Sequence, residues 1–317
     1  MIKPGSPFVD RGSAPIIASG DLSRILRPRI SDALATLNGC RGCVEALNVT
    51  RPKLVETAYR RFLAVGAGAI FTNTAGAAPH FLDRYRMYDE AFSVSYLGAH
   101  LARAVSGDDT HVIGDVRLPW RLPNLGFIPE VDIEEAARIM VSAQVGGGAD
   151  AICLETTEHP AHMAAAFAGA KRGMAEAGRR VTLLASVRYE LVNGTPETAR
   201  IANEVDAAGK LASSLGAVAV GLSRRNLAGQ RTAYLDRLAS RHSLAILLPG
   251  DGTLAELRVL IGNPDTANRL VLTGAPAPRA ARAMARLVEN RIGTSAPIEF
   301  ANDDQREGRV DRHEGRR

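Results

Sequence analysis

Short apolar runs alternate with longer amphipathic stretches along most of the chain. The runs are nearly continuous and rich in Val, Ile and Leu, which is typical of parallel strands covered on both faces. The candidate strands are residues 15–19, 67–73, 111–116, 149–155, 181–187, 217–223, 244–250 and 269–274. They divide the chain into repeated strand-and-helix units.

The intervening stretches carry apolar residues at helical spacing. In residues 51–66, for example, Leu54, Ala58 and Phe62 lie on one helical face, and Pro52 stands near the start, where a missing N–H costs nothing. The predicted helices are residues 51–66, 85–105, 132–147, 160–177, 196–214, 229–241, 252–262 and 276–291.

Two local signals sharpen the helix boundaries. Asp132 followed three residues later by Glu135 is typical of an N-terminal cap, so we expect a helix to begin there. A joint of helix end, glycine and strand recurs at "VGAGAIF" (65–71), "GGADAIC" (147–153) and "LGAVAVG" (215–221), where a glycine is expected to take a left-handed cap.

Eight alternating units with a repeated joint predict a single-domain α/β fold, the (β/α)8 TIM barrel. A doubly wound open sheet is the alternative, but its Gly-rich loop after the first strand is reduced here to Gly20. We expect a short N-terminal extension over residues 1–13, the barrel over 14–292, and a charged, disordered tail over 293–317.

The composition indicates a globular protein: 46% of residues are hydrophobic and 23% are charged. The net charge is +5, but the arginines are dispersed among acids and aromatic residues are few, so we expect no nucleic-acid partner. We expect no membrane span, because no run of 18 or more apolar residues appears, and no secretory signal, because the first residues lack a basic start followed by a long apolar stretch. Three cysteines, Cys40, Cys43 and Cys153, indicate reduced thiols and a cytoplasmic location.

Function in such barrels lies at the carboxyl ends of the strands. Three motifs at these ends carry a family resemblance: "FTNTAGAA" (71–78), "ADAICLETTEHPAHMAAA" (149–166) and "GTPETA" (194–199). In this order they resemble the homocysteine S-methyltransferase family, a barrel family that moves a methyl group to the thiol of homocysteine. The resemblance covers roughly residues 14–291 and implies the same fold.

The resemblance also implies a zinc ion held by three cysteines, one after the sixth strand and a pair after the eighth, because zinc keeps a bound thiol as a thiolate. This chain instead has "VGLSRRN" (220–226), with Ser223 or Arg224 at the first position, and "LTGAPAP" (272–278) at the second. We therefore expect no zinc at the family position and assign no other cofactor. A relocated zinc site using Cys40, Cys43 and a third ligand is a weaker alternative.

The substrate-binding residues that we predict lie at the strand ends. The resemblance implies that Glu155 accepts a hydrogen bond from the amino group of an amino-acid-like ligand. Arginines at the mouth would recognise an anionic group, or pair with Glu155, Glu190 or Asp251 instead. The full set is Asp21, Thr72, Asn73, Glu155, Thr156, Arg188 and Arg224; no catalytic residue is assigned.

The sequence favours two functions about equally. The first is methyl transfer or related one-carbon chemistry on a small thiol or amino-acid-like substrate without the three-cysteine zinc. The second is a non-catalytic barrel that binds a small anionic or amino-acid-like ligand, or a partner protein, in a regulatory role. Related barrels often associate, but nothing in the sequence identifies an interface, so the oligomeric state stays open.

Overall fold

The fold was analysed in a computed structural model. It describes residue 8 and residues 14–29, 42–119, 121–122, 126–189, 198–223, 227, 230–242, 244–249 and 252–292. Within this part of the chain, eight parallel strands close into a barrel in chain order, and the last strand pairs with the first. The predicted (β/α)8 fold is confirmed.

Each predicted strand is present with slightly shifted ends. The barrel strands are β1 (Ile16–Ser19), β2 (Ala69–Phe71), β3 (His111–Arg117), β4 (Ala151–Thr157), β5 (Thr182–Arg188), β6 (Ala219–Leu222), β7 (Ala245–Leu248) and β8 (Leu270–Ala275). An antiparallel pair, Arg121–Leu122 with Gly126–Phe127, lies between β3 and the next helix and was not predicted.

The longer helices follow the strands in order. They are α1 (Pro52–Leu63), α2 (Ala91–Ser106), α3 (Glu130–Gly146), α4 (Pro160–Glu176), α5 (Thr198–Ser214), α6 (Arg231–His242), α7 (Leu254–Gly262) and α8 (Pro278–Ile292). Short helices occupy Ser23–Leu26, Leu47–Thr50, Pro79–Leu82 and Pro264–Ala267, and 3-10 turns occupy Arg27–Arg29, Asp83–Tyr85 and Tyr88–Glu90. Among the described helices, none combines the length and apolar character needed to cross a bilayer.

The helix boundaries show which local signals hold. Gly66, Gly148 and Gly216 all have positive φ (81°, 107° and 108°), which confirms the predicted left-handed joints. The predicted cap at Asp132 is wrong: α3 begins at Glu130 after Pro129, with no side-chain cap. The Glu135 carboxylate instead accepts a hydrogen bond from Arg138 Nε at 2.8 Å.

A capping box does form at α7, where Thr253 and Glu256 cap each other's backbone N–H groups. The carboxylate of Glu256 also accepts hydrogen bonds from Nη2 and Nε of Arg231, at 2.7 and 2.9 Å. Arg231 is 1% exposed and donates to the Leu222 carbonyl at 3.2 Å. This buried arginine therefore ties the end of β6 to α6 and α7.

The core has two layers. The larger lies between the strands and the helices, and the smaller fills the barrel interior. The interior layer contains Phe8, whose ring meets His111, the first residue of β3, edge to face at 5.4 Å. Phe8 belongs to the predicted N-terminal extension, and it closes the amino end of the barrel. The predicted tail, 293–317, lies outside the described residues.

Candidate functional site at the barrel mouth

The barrel interior changes from apolar to charged towards its carboxyl end. Side chains alternate between the two faces of a strand, so every second residue points inward. One inward row contains Asp115, Cys153 and Leu184, which are paired across β3, β4 and β5. The next inward row towards the mouth pairs Arg117, Glu155 and Ser186. The row below the mouth is therefore apolar on β4 and β5, where it consists of Cys153 and Leu184, and carries a carboxylate only on β3 among these three strands.

Arg117 is held by two aspartates on one side of the mouth. Its Nε and Nη2 donate to the two oxygens of Asp115 at 3.2 and 2.9 Å. Its Nη1 donates to Asp21 at 3.1 Å, and the other oxygen of Asp21 accepts the Ser23 N–H at 2.8 Å. This guanidinium thus neutralises carboxylates from β3 and from the loop after β1.

Burial and charge shift the pKa values of this cluster in different directions. Asp115 is 5% exposed, and burial raises its pKa to about 6 although Arg117 opposes the shift. Burial also tends to raise the pKa of Asp21. The charge of Arg117 and the hydrogen bond from the Ser23 N–H lower it by more, so the pKa of Asp21 is lowered overall. Burial would lower the pKa of Arg117, but the charge of Asp115 helps to hold that pKa well above its usual value.

The polar side chains that β4 and β5 bring to the mouth have fewer hydrogen-bond partners than those around Arg117. Arg188 Nη1 lies 3.5 Å from Glu155 Oε1, and the two side chains are 13% and 14% exposed. Among the described residues, Ser186 Oγ and Arg188 Nε have no hydrogen-bond partner although both atoms are buried. The structure thus brings two of the predicted residues, Glu155 and Arg188, together at the site.

Glu45 joins the mouth without having been predicted. Its Oε1 accepts the Gly76 N–H at 2.7 Å, and Cys43 Sγ lies 3.8 Å from its Oε2. Burial raises the pKa of Glu45, and the charges of Asp21 and Arg117 also act on it. The signal available in the sequence was an acid inside the apolar stretch "CVEAL", but its position in a long connection hid its destination.

The Thr72-Asn73-Thr74 motif holds the backbone together in this structure. Thr72 Oγ1 accepts the Asp115 N–H at 2.9 Å and also contacts Thr74 and Gln144, which places it between the barrel and α3. Asn73 Nδ2 donates to the Val44 carbonyl and to Asn48 Oδ1, both at 3.0 Å. The side chains of Thr72 and Asn73 are hydrogen-bonded to other groups of the protein, so the proposed ligand site does not include them.

Thr156 lies on the opposite face of β4 from Glu155. It lines a small cavity with Leu118, Ile133 and His162, and this cavity lies outside the barrel interior. The alternation of strand side chains is the reason, because neighbouring residues cannot both face inward. Thr156 is therefore also left out of the proposed ligand site. The predicted candidates Arg224, Glu190, Asp251 and Cys40 lie outside the described residues.

The residues present do not fit the three-cysteine zinc site that the resemblance implies. The end of β8 carries Gly274, Ala275 and Pro276, which have no ligating side-chain atom. Ser223 after β6 offers a hydroxyl where zinc requires a thiolate. Within the described part of the chain, no group of three His, Cys, Asp or Glu side chains is placed to hold a metal ion.

The two described cysteines are buried and unpaired. Burial raises the pKa of Cys43 to about 12, and it raises the pKa of Cys153 well above the usual thiol value. Both thiols are therefore protonated at neutral pH. Cys153 sits in the apolar interior layer and fills the core.

Comparisons with known proteins point to one family. The family model described as homocysteine S-methyltransferase matches residues 16–264. Methionine synthase of Mycobacterium tuberculosis (strain ATCC 25618 / H37Rv) is 32% identical over 216 residues, which cover 66% of this chain and 18% of that protein. Methionine synthase of Mycobacterium leprae (strain TN) is 30% identical over 234 residues, 71% of this chain and 19% of that protein. The chain thus spans about a fifth of the length of these relatives.

Solved structures agree on the fold. The homocysteine methyltransferase MmuM of Escherichia coli in its metallated form superposes with a TM-score of 0.61 at 18% identity, covering 87% of this chain and 97% of that chain. Its apo form gives 0.58 at 19% identity, covering 89% and 99%. The match of the family model over residues 16–264 shows that the chain belongs to the homocysteine S-methyltransferase family.

Proposed function

We propose that this protein binds a small thiol-bearing amino acid of the homocysteine type at the barrel mouth and methylates its sulfur without a three-cysteine zinc site. Family membership supports the reaction type. The observation that carries the ligand assignment is the inward pair of Glu155 and Arg188, 3.5 Å apart above an apolar floor. A carboxylate at that place accepts hydrogen bonds from an ammonium group.

The charge balance of the mouth supports an ammonium-bearing ligand. Among the described residues around it, four carboxylates face two guanidiniums: Asp21, Glu45, Asp115 and Glu155 against Arg117 and Arg188. Arg117 is occupied by two aspartates. An excess of carboxylates favours the amino end of a small amino acid over a purely anionic ligand.

The proposed reaction joins the substrate sulfur to a methyl carbon. The sulfur attacks the methyl group of a sulfonium or quaternary ammonium donor, the donor's bond to that methyl carbon breaks, and the donor leaves as a neutral thioether or with a neutral tertiary amine. The thiol proton is released. Without a metal to lower its pKa, the bound thiol keeps a value near the ordinary thiol range of about 8.5. The turnover rate is therefore expected to rise with pH through the neutral range.

Methionine formation from L-homocysteine tests the proposal, with S-methylmethionine, S-adenosylmethionine or betaine as donor. Glu155→Gln keeps the shape but removes the charge that receives the ammonium. We expect KM for homocysteine to rise roughly ten- to a hundredfold. Glu134→Gln, on the outer surface of α3, is the matched control and should behave as the wild type. Absence of both binding and turnover in the wild type would exclude the proposal.

A non-catalytic ligand-binding barrel is the second candidate. It is favoured by the loss of thiolate ligands at the ends of β6 and β8. Calorimetric binding of homocysteine without turnover by any donor, and loss of that binding in Glu155→Ala, would favour it. The ligand would then act as a signal for a regulatory role.

The relocated zinc site makes a separate prediction. If Cys40 and Cys43 held zinc, purified protein would contain the metal in stoichiometric amount and lose it in Cys40→Ser and Cys43→Ser. We expect the chelator 1,10-phenanthroline to leave methyl transfer unchanged.

A further inference from the structure

The outer face of α2 carries a row of aromatic side chains on the outside of the barrel. Phe92, Tyr96 and His100 follow one another at intervals of four residues, so they lie on one side of the helix. All three are exposed, Phe92 at 49% and Tyr96 at 36%. The rings of Phe92 and Tyr96 stack at 6.4 Å between centroids, and those of Tyr96 and His100 at 5.9 Å. We call these three residues the aromatic stripe.

Tyr96, the middle residue of the stripe, is held in a defined position by α3. The two helices pack so closely that a Cβ at Gly147 would lie 2.5 Å from the Tyr96 carbonyl oxygen. A Cβ at Gly146 would lie 3.8 Å from the Tyr96 ring, so this glycine leaves that ring uncovered. Aromatic side chains that are ordered before binding lose little conformational entropy, and such residues are the usual anchors of protein interfaces.

The helix around the stripe is almost free of charge. Between Ala91 and Ala102, α2 contains no Asp, Glu, Lys or Arg. The exposed side of α1, in contrast, includes Lys53, Arg60 and Arg61. Contiguous exposed apolar surface of this kind is typical of an interaction site. Because the chain carries a net charge of +5, two copies repel each other least where an uncharged face meets an uncharged face.

Side chains of opposite sign lie at the two ends of the stripe. Asp89 and Glu90 are exposed directly before the first turn of α2. The basic side chain of His100 lies towards the other end, and Arg103 follows in the last turn, where it is paired with Asp150. Acids at the start of a helix and basic groups near its end complement each other when two such helices lie antiparallel.

We infer that the aromatic stripe is a docking surface for a second copy of this chain, with the two α2 helices antiparallel about a twofold axis at Tyr96. A twofold contact is self-complementary, because a residue that meets another across it is met by the same residue in return. Phe92 and His100 lie four positions on either side of Tyr96. Phe92 therefore packs on the partner's His100, and Asp89 and Glu90 come close to the same imidazole.

The charges of the stripe disfavour other occupants. Helices that bind a membrane surface have a polar flank rich in Lys and Arg, whereas Asp89 and Glu90 flank this stripe. Nucleic acid would be repelled by the same acids. One pair of helices buries less than the roughly 1,200–2,000 Å² of a tight complex, so we expect a reversible dimer with a Kd of about 1–100 µM.

Sedimentation velocity of the 317-residue chain over about 1–300 µM tests the pairing. We expect a reversible shift from monomer to dimer. Tyr96→Glu brings two like charges together at the axis and should raise the dimer Kd at least about tenfold. Phe92→Ala should raise it about three- to tenfold. Val259→Glu, at an exposed apolar position on α7, is the matched control and should leave the Kd unchanged.

A charge reversal tests the antiparallel arrangement. His100→Glu places a third acid beside Asp89 and Glu90 across the contact and should raise the Kd about three- to tenfold. Adding Asp89→Lys and Glu90→Lys to this variant should restore the affinity, because opposite charges again face each other. A variant that pairs poorly because it is poorly folded would show no such rescue, and circular dichroism identifies it.

These outcomes support or overturn the pairing without reference to the reaction at the barrel mouth. A chain that stays monomeric over the whole concentration range overturns it, and so does a dimer that Tyr96→Glu leaves unchanged. Weakening by His100→Glu without rescue by the two lysines overturns the antiparallel arrangement. Loss of the dimer in Tyr96→Glu, together with rescue of His100→Glu, supports it. Methyl transfer is not measured, so the proposed function is unaffected by either result.

Discussion

Arg117 and Arg188 enter the barrel mouth from β3 and β5, and their surroundings differ. Arg117 is bound by Asp115 and Asp21 through three short contacts, whereas Arg188 meets Glu155 through one contact of 3.5 Å. A guanidinium whose donors are all bound to carboxylates stabilises the fold, because removing it would leave those buried carboxylates without an opposite charge, which costs free energy. A partly paired one retains donors for a ligand. We therefore expect the same residue type to serve stability on one side of the mouth and ligand binding on the other.

The largest expected effect comes from removing the saturated arginine. Arg117→Met leaves Asp115 and Asp21 without their cation in a largely buried site, and we expect the free energy of unfolding to fall by about 3–5 kcal/mol. Arg188→Met is the matched change on the other side and should cost about 1–3 kcal/mol, because it removes one longer contact, of 3.5 Å, from the Glu155 carboxylate. Urea unfolding of both variants measures the difference. Equal losses would contradict the assignment of different roles.

The second-largest expected effect is a pH dependence of the unfolding free energy that arises from Asp115, one of the two partners of Arg117. Asp115 has a native pKa of about 6 against an ordinary value of 3.8, so the folded state binds its proton more tightly between these values. Its contribution to stability is fully present below about pH 4 and is lost as the pH rises through 6. The unfolding free energy of the wild type relative to Asp115→Asn should fall by about 1–3 kcal/mol across this window.

Asp21→Asn provides the opposite case in the same cluster. The pKa of Asp21 is lowered from 3.8, so its contribution is present above that value and is lost only as the pH falls below it. The effect of this substitution should therefore be constant between pH 4.5 and 6.5. Urea unfolding at several pH values measures both variants. A slope for Asp21→Asn, or none for Asp115→Asn, would show that the charges are arranged differently.

The smallest expected effect compares two hydroxyl groups. Thr72→Val removes the oxygen that accepts the Asp115 N–H and should cost about 1–3 kcal/mol, because a buried donor loses its partner. Ser186→Ala removes a hydroxyl with no partner among the described residues, and stability should change by less than about 0.5 kcal/mol. Thermal unfolding of the two variants checks this. A large loss for Ser186→Ala would indicate a structural role.

Local patterns predicted most of the fold. The apolar runs located all eight strands of the barrel, and Gly66, Gly148 and Gly216 located three of its joints. The cap at Asp132 was wrong, because Pro129 begins the helix earlier and Glu135 pairs with Arg138. The short antiparallel pair after β3 lacks a periodic pattern, since each strand has only two residues.

The site was predictable only in part. The rule that function lies at the carboxyl ends of barrel strands brought Glu155 and Arg188 into one list, and the structure places them together. Thr156 stood in the same list, although strand alternation already assigned it to the opposite face from Glu155. Glu45 comes from the long connection between β1 and β2, and no local pattern indicates where that connection returns.

By itself, the sequence determined the barrel class, the order of polar residues at the strand ends, and the absence of cysteines at the ends of β6 and β8. These properties depend on residue identity and on spacing within a few positions. Only the tertiary structure decided which charges neutralise one another. Asp21 and Arg117 are 96 residues apart, yet they meet at 3.1 Å. Ion pairing depends on distance and burial across strands, and these are set when the barrel closes.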